Sequence, residues 1–155
     1  MYKGFYRSLI FIPFSIVLLA AGVSAQDISG SISGPVTKGK PARGAVTVSI
    51  PAGLHMNSNR PSSQYAIPTT VKLTVVGARV SAVRYPRGAN RKFEFSENPI
   101  NVYEGTVKFP FTVTVPAKFT GDTVRVRATV KYQACTNEVC YPPKTKEITL
   151  TAKVR

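Results

Sequence analysis

The stretch "TVRVRATVKYQACTNEVCYPPKTKEITLTAKVR", residues 123–155, decides the fold. In its first segment Val124, Val126, Ala128, Val130 and Tyr132 alternate with Arg125, Arg127, Thr129 and Lys131. In its last segment Ile148, Leu150, Ala152 and Val154 alternate with Thr149, Thr151, Lys153 and Arg155. Successive side chains of a strand point to opposite faces, so each segment reads as a strand with one apolar and one wet face. Between them lie the only two cysteines, Cys135 and Cys140, followed by Pro142 and Pro143. Two such strands predict a hairpin with the cysteines at or near its tip.

The same period of two recurs upstream. Val107, Phe109, Phe111, Val113 and Val115 share a face in "TVKFPFTVTV", as do Val46, Val48 and Ile50 in "AVTVSI". Val71, Leu73 and Val75 alternate with Lys72 and Thr74, and "ARVSAVRYPRG", residues 78–88, reads as a further strand ended by Pro86 and Gly88. Residues 84–93 and 96–105 read as a loop region around Phe93 and Phe95. No segment after residue 25 keeps helical periodicity beyond one turn. Short strands separated by Gly and Pro turns predict an all-β fold, an immunoglobulin-like antiparallel β-sandwich. The antibody hallmark is missing: the chain has no Trp, and its cysteines are too close in sequence to bridge two sheets.

A chain of 155 residues suggests one domain. Residues 1–25 read as a cleaved signal peptide. Lys3 and Arg7 precede an apolar run, and Val23-Ser24-Ala25 ends it at a site suited to a signal peptidase. Pro13 interrupts the run, which is shorter than the roughly 20 apolar residues that cross a bilayer. No transmembrane anchor is therefore expected after processing. Residues 26–44, rich in Gly, Ser and Lys, read as a flexible lead-in with at most one short strand, and residues 45–155 as the domain. Export implies an oxidising compartment, expected to be the periplasm, where cysteine pairs persist. The formal charge of +14 falls to +12 without Lys3 and Arg7. The cations are scattered rather than interleaved with aromatics, which argues against a nucleic-acid partner and for a solvated basic surface.

Chemistry concentrates on the cysteine pair. As a staple the bond closes a six-residue loop, worth about 2 kcal/mol in the chain-entropy model against about 4.7 for a hundred-residue loop. A hairpin turn already removes most of that freedom. As a redox pair it needs one sulfur that a second protein can reach, and a tip loop offers that. Spacing alone leaves both readings open. Lys131, Lys144 and Lys146 would favour a thiolate there and Glu138 would oppose it. His55, the single histidine, reads as structural or surface rather than as a zinc ligand or a nucleophile's partner. No metal site is expected. The seven carboxylates form no close pair for hydrolysis, and no Gly-rich phosphate loop is present.

The hairpin "YQACTNEVCYPPKTKEITL" resembles the active-site hairpin of the N-terminal periplasmic domain of DsbD, the thiol:disulfide interchange protein. Tyr132, Gln133, both cysteines, Tyr141, Pro142 and Pro143 carry the likeness. "LHMNSNRPSSQYAIPTTVKL", "YPRG" and "VYEGTVKFPFTV" extend it over roughly residues 40–155. The resemblance implies an immunoglobulin-like sandwich. It implies a redox-active disulfide needing no cofactor, which passes reducing equivalents to thioredoxin-like periplasmic proteins of the disulfide-isomerase or cytochrome c maturation type. It implies that Cys140 forms the mixed disulfide, that Cys135 resolves it, and that an aromatic cap loop covers the pair. Phe95 is the first candidate for that cap and Phe93 the second. This chain departs from the pattern in having one residue fewer between its cysteines than the best-known members. It carries no C-x-x-C, so a separate membrane electron donor is expected. The rival reading is a non-enzymatic exported binding or adhesion module with a structural local disulfide.

Overall fold

The structure, a computed structural model, describes residues 26–155. The expected signal peptide lies outside the described residues. Eleven strands follow in order: β1 (Asp27–Ile32), β2 (Pro41–Ser49), β3 (His55–Asn57), β4 (Thr70–Val75), β5 (Arg79–Val80) and β6 (Ala89–Arg91). After them come β7 (Ile100–Tyr103), β8 (Thr106–Thr114), β9 (Thr123–Tyr132), β10 (Ala134–Cys135) and β11 (Lys144–Lys153). They form three sheets, ordered β1-β2-β8-β5, β10-β3-β7-β6 and β11-β9-β4. Every ladder between these strands is antiparallel. The fold is all-β, as expected.

One core joins the first and third sheets and takes in Met56, Tyr103 and Ala134 from the second. The alternating rows of β8 and β9 are buried as their sequences predict, and they meet Val46 and Val48 of β2 and Leu150 of β11 in a single cluster. Close packing requires a missing side chain at Gly44. This residue sits opposite Phe111 in the β2–β8 ladder, and a Cβ there would lie 2.4 Å from the Phe111 ring. The glycine lets the phenyl ring lie flat across β2.

Three local expectations are corrected. Residues 26–44 are not a loose lead-in: β1 pairs with β2 along its whole length, and Ile28, Ile32 and Val36 are buried. Val36 also makes an isolated parallel bridge to Val154, with its N–H donating to the Lys153 carbonyl at 2.7 Å. A few anchors suffice because an edge strand draws its order from backbone hydrogen bonds, which a Gly- and Ser-rich composition does not reveal. The strand expected over 78–88 shrinks to Arg79–Val80. Beyond it the ladder to β8 breaks up: the Ser81 N–H donates to the Thr112 carbonyl, the Thr112 N–H turns to the Ser81 hydroxyl instead of a carbonyl, and the Arg84 N–H donates to Pro110, which has no N–H to return. The loop region around Phe93 and Phe95 contains a hairpin, β6 paired with β7, that raises residues 92–99 beside the cysteines.

Candidate functional site

The connection between β9 and β11 leaves its own sheet. After Tyr132 the chain runs into β10, which pairs with β3 so that Ala134 faces Met56 and Cys135 faces His55. A turn over Thr136–Val139 then reverses it. The Thr136 N–H donates to the Val139 carbonyl at 2.8 Å, and the Thr136 hydroxyl accepts from the N–H groups of Glu138 and Val139 at 3.2 and 3.1 Å. The Tyr141 N–H closes the loop on the Ala134 carbonyl at 2.9 Å. This folds Cys140 back against Cys135, where the two form a disulfide with Cα atoms 4.0 Å apart. The two sulfurs are unequally placed: Cys135 is wholly buried, and Cys140 is half-buried.

Gln133 braces the pair. Its side-chain carbonyl accepts from Asn57 Nδ2 at 2.9 Å and from the Ile67 N–H at 3.2 Å, while its amide donates to the Tyr141 carbonyl at 3.2 Å. One side chain thus ties β3, the loop after it, and the residue next to Cys140. Tyr132 acts differently. Its hydroxyl is buried with no hydrogen-bond partner among the described residues, and burial pushes its pKa up. An unpartnered hydroxyl costs desolvation without return, so Tyr132→Phe is expected to leave stability unchanged or raise it by up to ~1 kcal/mol, read from urea unfolding. Tyr141 is half-buried against the core, whereas Pro142 and Pro143 are exposed and joined by trans bonds.

The β6–β7 hairpin carries the two phenylalanines. Within its loop the Lys92 ammonium donates to the Glu97 carbonyl, and the Ser96 hydroxyl donates to the Asn98 carbonyl at 2.7 Å. At its base the Arg91 guanidinium meets Glu104 at 2.7 Å. Phe93 is buried with Ile100 and Val102, which is core packing. Phe95 is 43% exposed and lines a cavity of about 240 Å³ together with Cys140, Asn57, Gln133 and Tyr65. The structure brings Phe95, Gln133 and Cys140 together and keeps Phe93 beneath them. Tyr65 escaped sequence reasoning. It is 85% exposed, and its only sequence signal is an aromatic ring in the otherwise polar stretch "RPSSQY".

His55 is buried, and its ring stacks on Phe93 with centroids 4.1 Å apart. Burial disfavours the imidazolium and lowers the pKa below 6.5, with the Glu104 carboxylate opposing the shift. Unfolding therefore binds a proton at pH values between the depressed folded pKa and the ordinary one. The stabilising effect is present above pH 6.5 and is lost as pH falls through the folded pKa. Urea midpoints are expected to drop over that window in the native protein and to drop less in His55→Phe. Among the described residues no group of three or more His, Cys, Asp or Glu side chains is placed to hold a metal.

The sequence profile of the family described as thiol:disulfide interchange protein DsbD, N-terminal, matches residues 31–152. The chain belongs to this DsbD N-terminal family. Its described region is accordingly an exported, periplasmic domain, and the Cys135–Cys140 disulfide sits within the matched residues. The fold is similar to the crystal structure of the N-terminal periplasmic domain of ScsB from Proteus mirabilis, with a TM-score of 0.54 at 12% identity. That similarity covers 82% of this chain and 45% of the ScsB chain, so the DsbD-family domain described here spans under half of that periplasmic domain's length. No curated protein sequence matches the chain.

Proposed function

We propose that this DsbD-family domain is an immunoglobulin-like sandwich that passes reducing equivalents through Cys135 and Cys140 to thioredoxin-like proteins of the periplasm. The observation that carries the reading is the unequal burial of the two sulfurs: Cys135 has no exposed surface, and Cys140 opens onto the cavity edged by Phe95. In the reduced domain the Cys140 thiolate attacks one sulfur of a partner's disulfide. A mixed disulfide forms, and the partner's other sulfur leaves as a thiolate and takes up a proton. Deprotonated Cys135 then attacks the Cys140 sulfur, closes the Cys135–Cys140 bond and releases the partner's second thiol. The partner gains two electrons and the domain loses two. A separate membrane protein restores the dithiol by the reverse exchange. Phe95 covers the pair between encounters, and Tyr132, Gln133, Tyr141, Pro142 and Pro143 shape the loop that presents Cys140. The Cys135–Cys140 dithiol itself carries the two electrons, so no cofactor takes part.

Equilibrating the purified mature protein against dithiothreitol and glutathione buffers tests this. The reading expects a potential above about −300 mV, the range of labile and catalytic disulfides rather than structural ones. A bond that stays oxidised in strongly reducing buffer sinks the reading and leaves an exported binding module with a local staple.

A further inference from the structure

We infer that His55 is a positioning residue for the cap, holding Phe95 over the cysteine pair through a column of three stacked rings. The inference rests on the proposed role of Phe95 as that cap. His55 and Phe93 have centroids 4.1 Å apart with planes at 13°, and Phe93 and Phe95 have centroids 5.2 Å apart with planes at 4°. The column runs from the interior outward: His55 and Phe93 are buried, and Phe95 is exposed. Its inner end is fixed, because His55 is the ladder partner of Cys135. Its outer end lines the same cavity as Cys140. A buried ring on the disulfide's own sheet thus reaches around, through the β6–β7 loop, to the ring beside the reactive sulfur.

The imidazole serves here as a flat aromatic surface. Its Nε2 is buried and has no hydrogen-bond partner among the described residues, so what holds the ring in place here is its stacked face. Opening the cap means sliding or parting one of these two ring pairs. Stacked aromatic pairs contribute beyond the area they bury, and a branched aliphatic side chain of similar size does not replace that contact. Losing the His55 ring leaves Phe93 held by Ile100 and Val102 without its stacked partner, which loosens it and, with it, Phe95. The closed and open populations of the loop then shift toward open, and a thiol reaches the disulfide more often.

The test is the rate at which dithiothreitol reduces the oxidised mature protein, measured for the native chain and for Phe95→Ala, His55→Leu and His55→Phe. Phe95→Ala is expected to react faster. His55→Leu should react roughly three- to tenfold faster, the range that one stacked pair sets, and His55→Phe should stay within about twofold of the native rate. A fast Phe95→Ala with an unchanged His55→Leu overturns the role of His55 while leaving the cap intact. A His55→Phe as fast as His55→Leu also overturns it, since the aromatic surface would then be irrelevant. An unchanged Phe95→Ala removes the cap reading and the His55 role together. Should His55→Leu fail to fold, Phe93→Leu breaks the same column at its middle ring, with the same acceleration expected and an unchanged rate again overturning the inference.

Discussion

Cys135→Ser is expected to accumulate a disulfide-linked adduct with a thioredoxin-like partner, and Cys140→Ser is expected to form none. The difference should be close to all-or-none on a non-reducing gel. Exchange is an attack of a thiolate on a disulfide sulfur and requires the two to approach directly. Cys140 is half-buried at the edge of the cavity that Phe95 also lines, so in the proposed exchange its thiolate is the one that an incoming disulfide would meet. In the Cys135→Ser protein the first step proceeds and the resolving sulfur is missing, so the adduct persists. In Cys140→Ser the one remaining thiol belongs to a strand paired with β3 and has no exposed surface. Adducts through Cys135 alone would reverse the two roles. Adducts through neither would leave the disulfide as a staple.

Gln133→Ala is expected to cost about 2–4 kcal/mol in unfolding free energy, read from urea titration, the largest stability loss of any polar side chain at the site. Three hydrogen bonds converge on this half-buried amide, and they reach partners 66, 76 and 8 residues away in sequence. Without it the side-chain amide of Asn57, a residue 1% exposed, keeps only its weaker bond to the Ile67 carbonyl at 3.3 Å, and the Ile67 N–H loses its side-chain acceptor. A buried polar group stripped of its partner costs its full desolvation, about 1–3 kcal/mol each. The Tyr141 carbonyl is released as well, so the loop that presents Cys140 should loosen along with the fold. A loss below about 1 kcal/mol would mean that water replaces the amide and that the brace is not structural.

Segments of this chain differ in how much of their structure is written locally. The rows of β8 and β9 were legible because alternation is a local property, recorded in each residue and its neighbours two positions away. The position of the cysteines between two strands followed from the same rows. The β6–β7 hairpin was not legible: β6 is the wholly exposed triplet Ala89–Arg91, which has no apolar face to alternate. For His55 the sequence says no more than structural or surface. It is buried, and its stacking on Phe93 joins residues 38 positions apart that no local pattern connects. Phe95 came from the family resemblance, and Phe95 rather than Phe93 proved to be the exposed ring.

By itself the sequence determined an all-β chain with one apolar face per long strand, a close cysteine pair between the last two of them, and the DsbD family. Only the tertiary structure decided which sulfur is reachable, what braces it and which ring column leads to it. The physical reason is range. Strand patterning is governed by where each side chain points along one segment, whereas accessibility depends on which distant segments pack around a residue, here β3, the loop through Ile67 and the β6–β7 hairpin converging on Cys135 and Cys140.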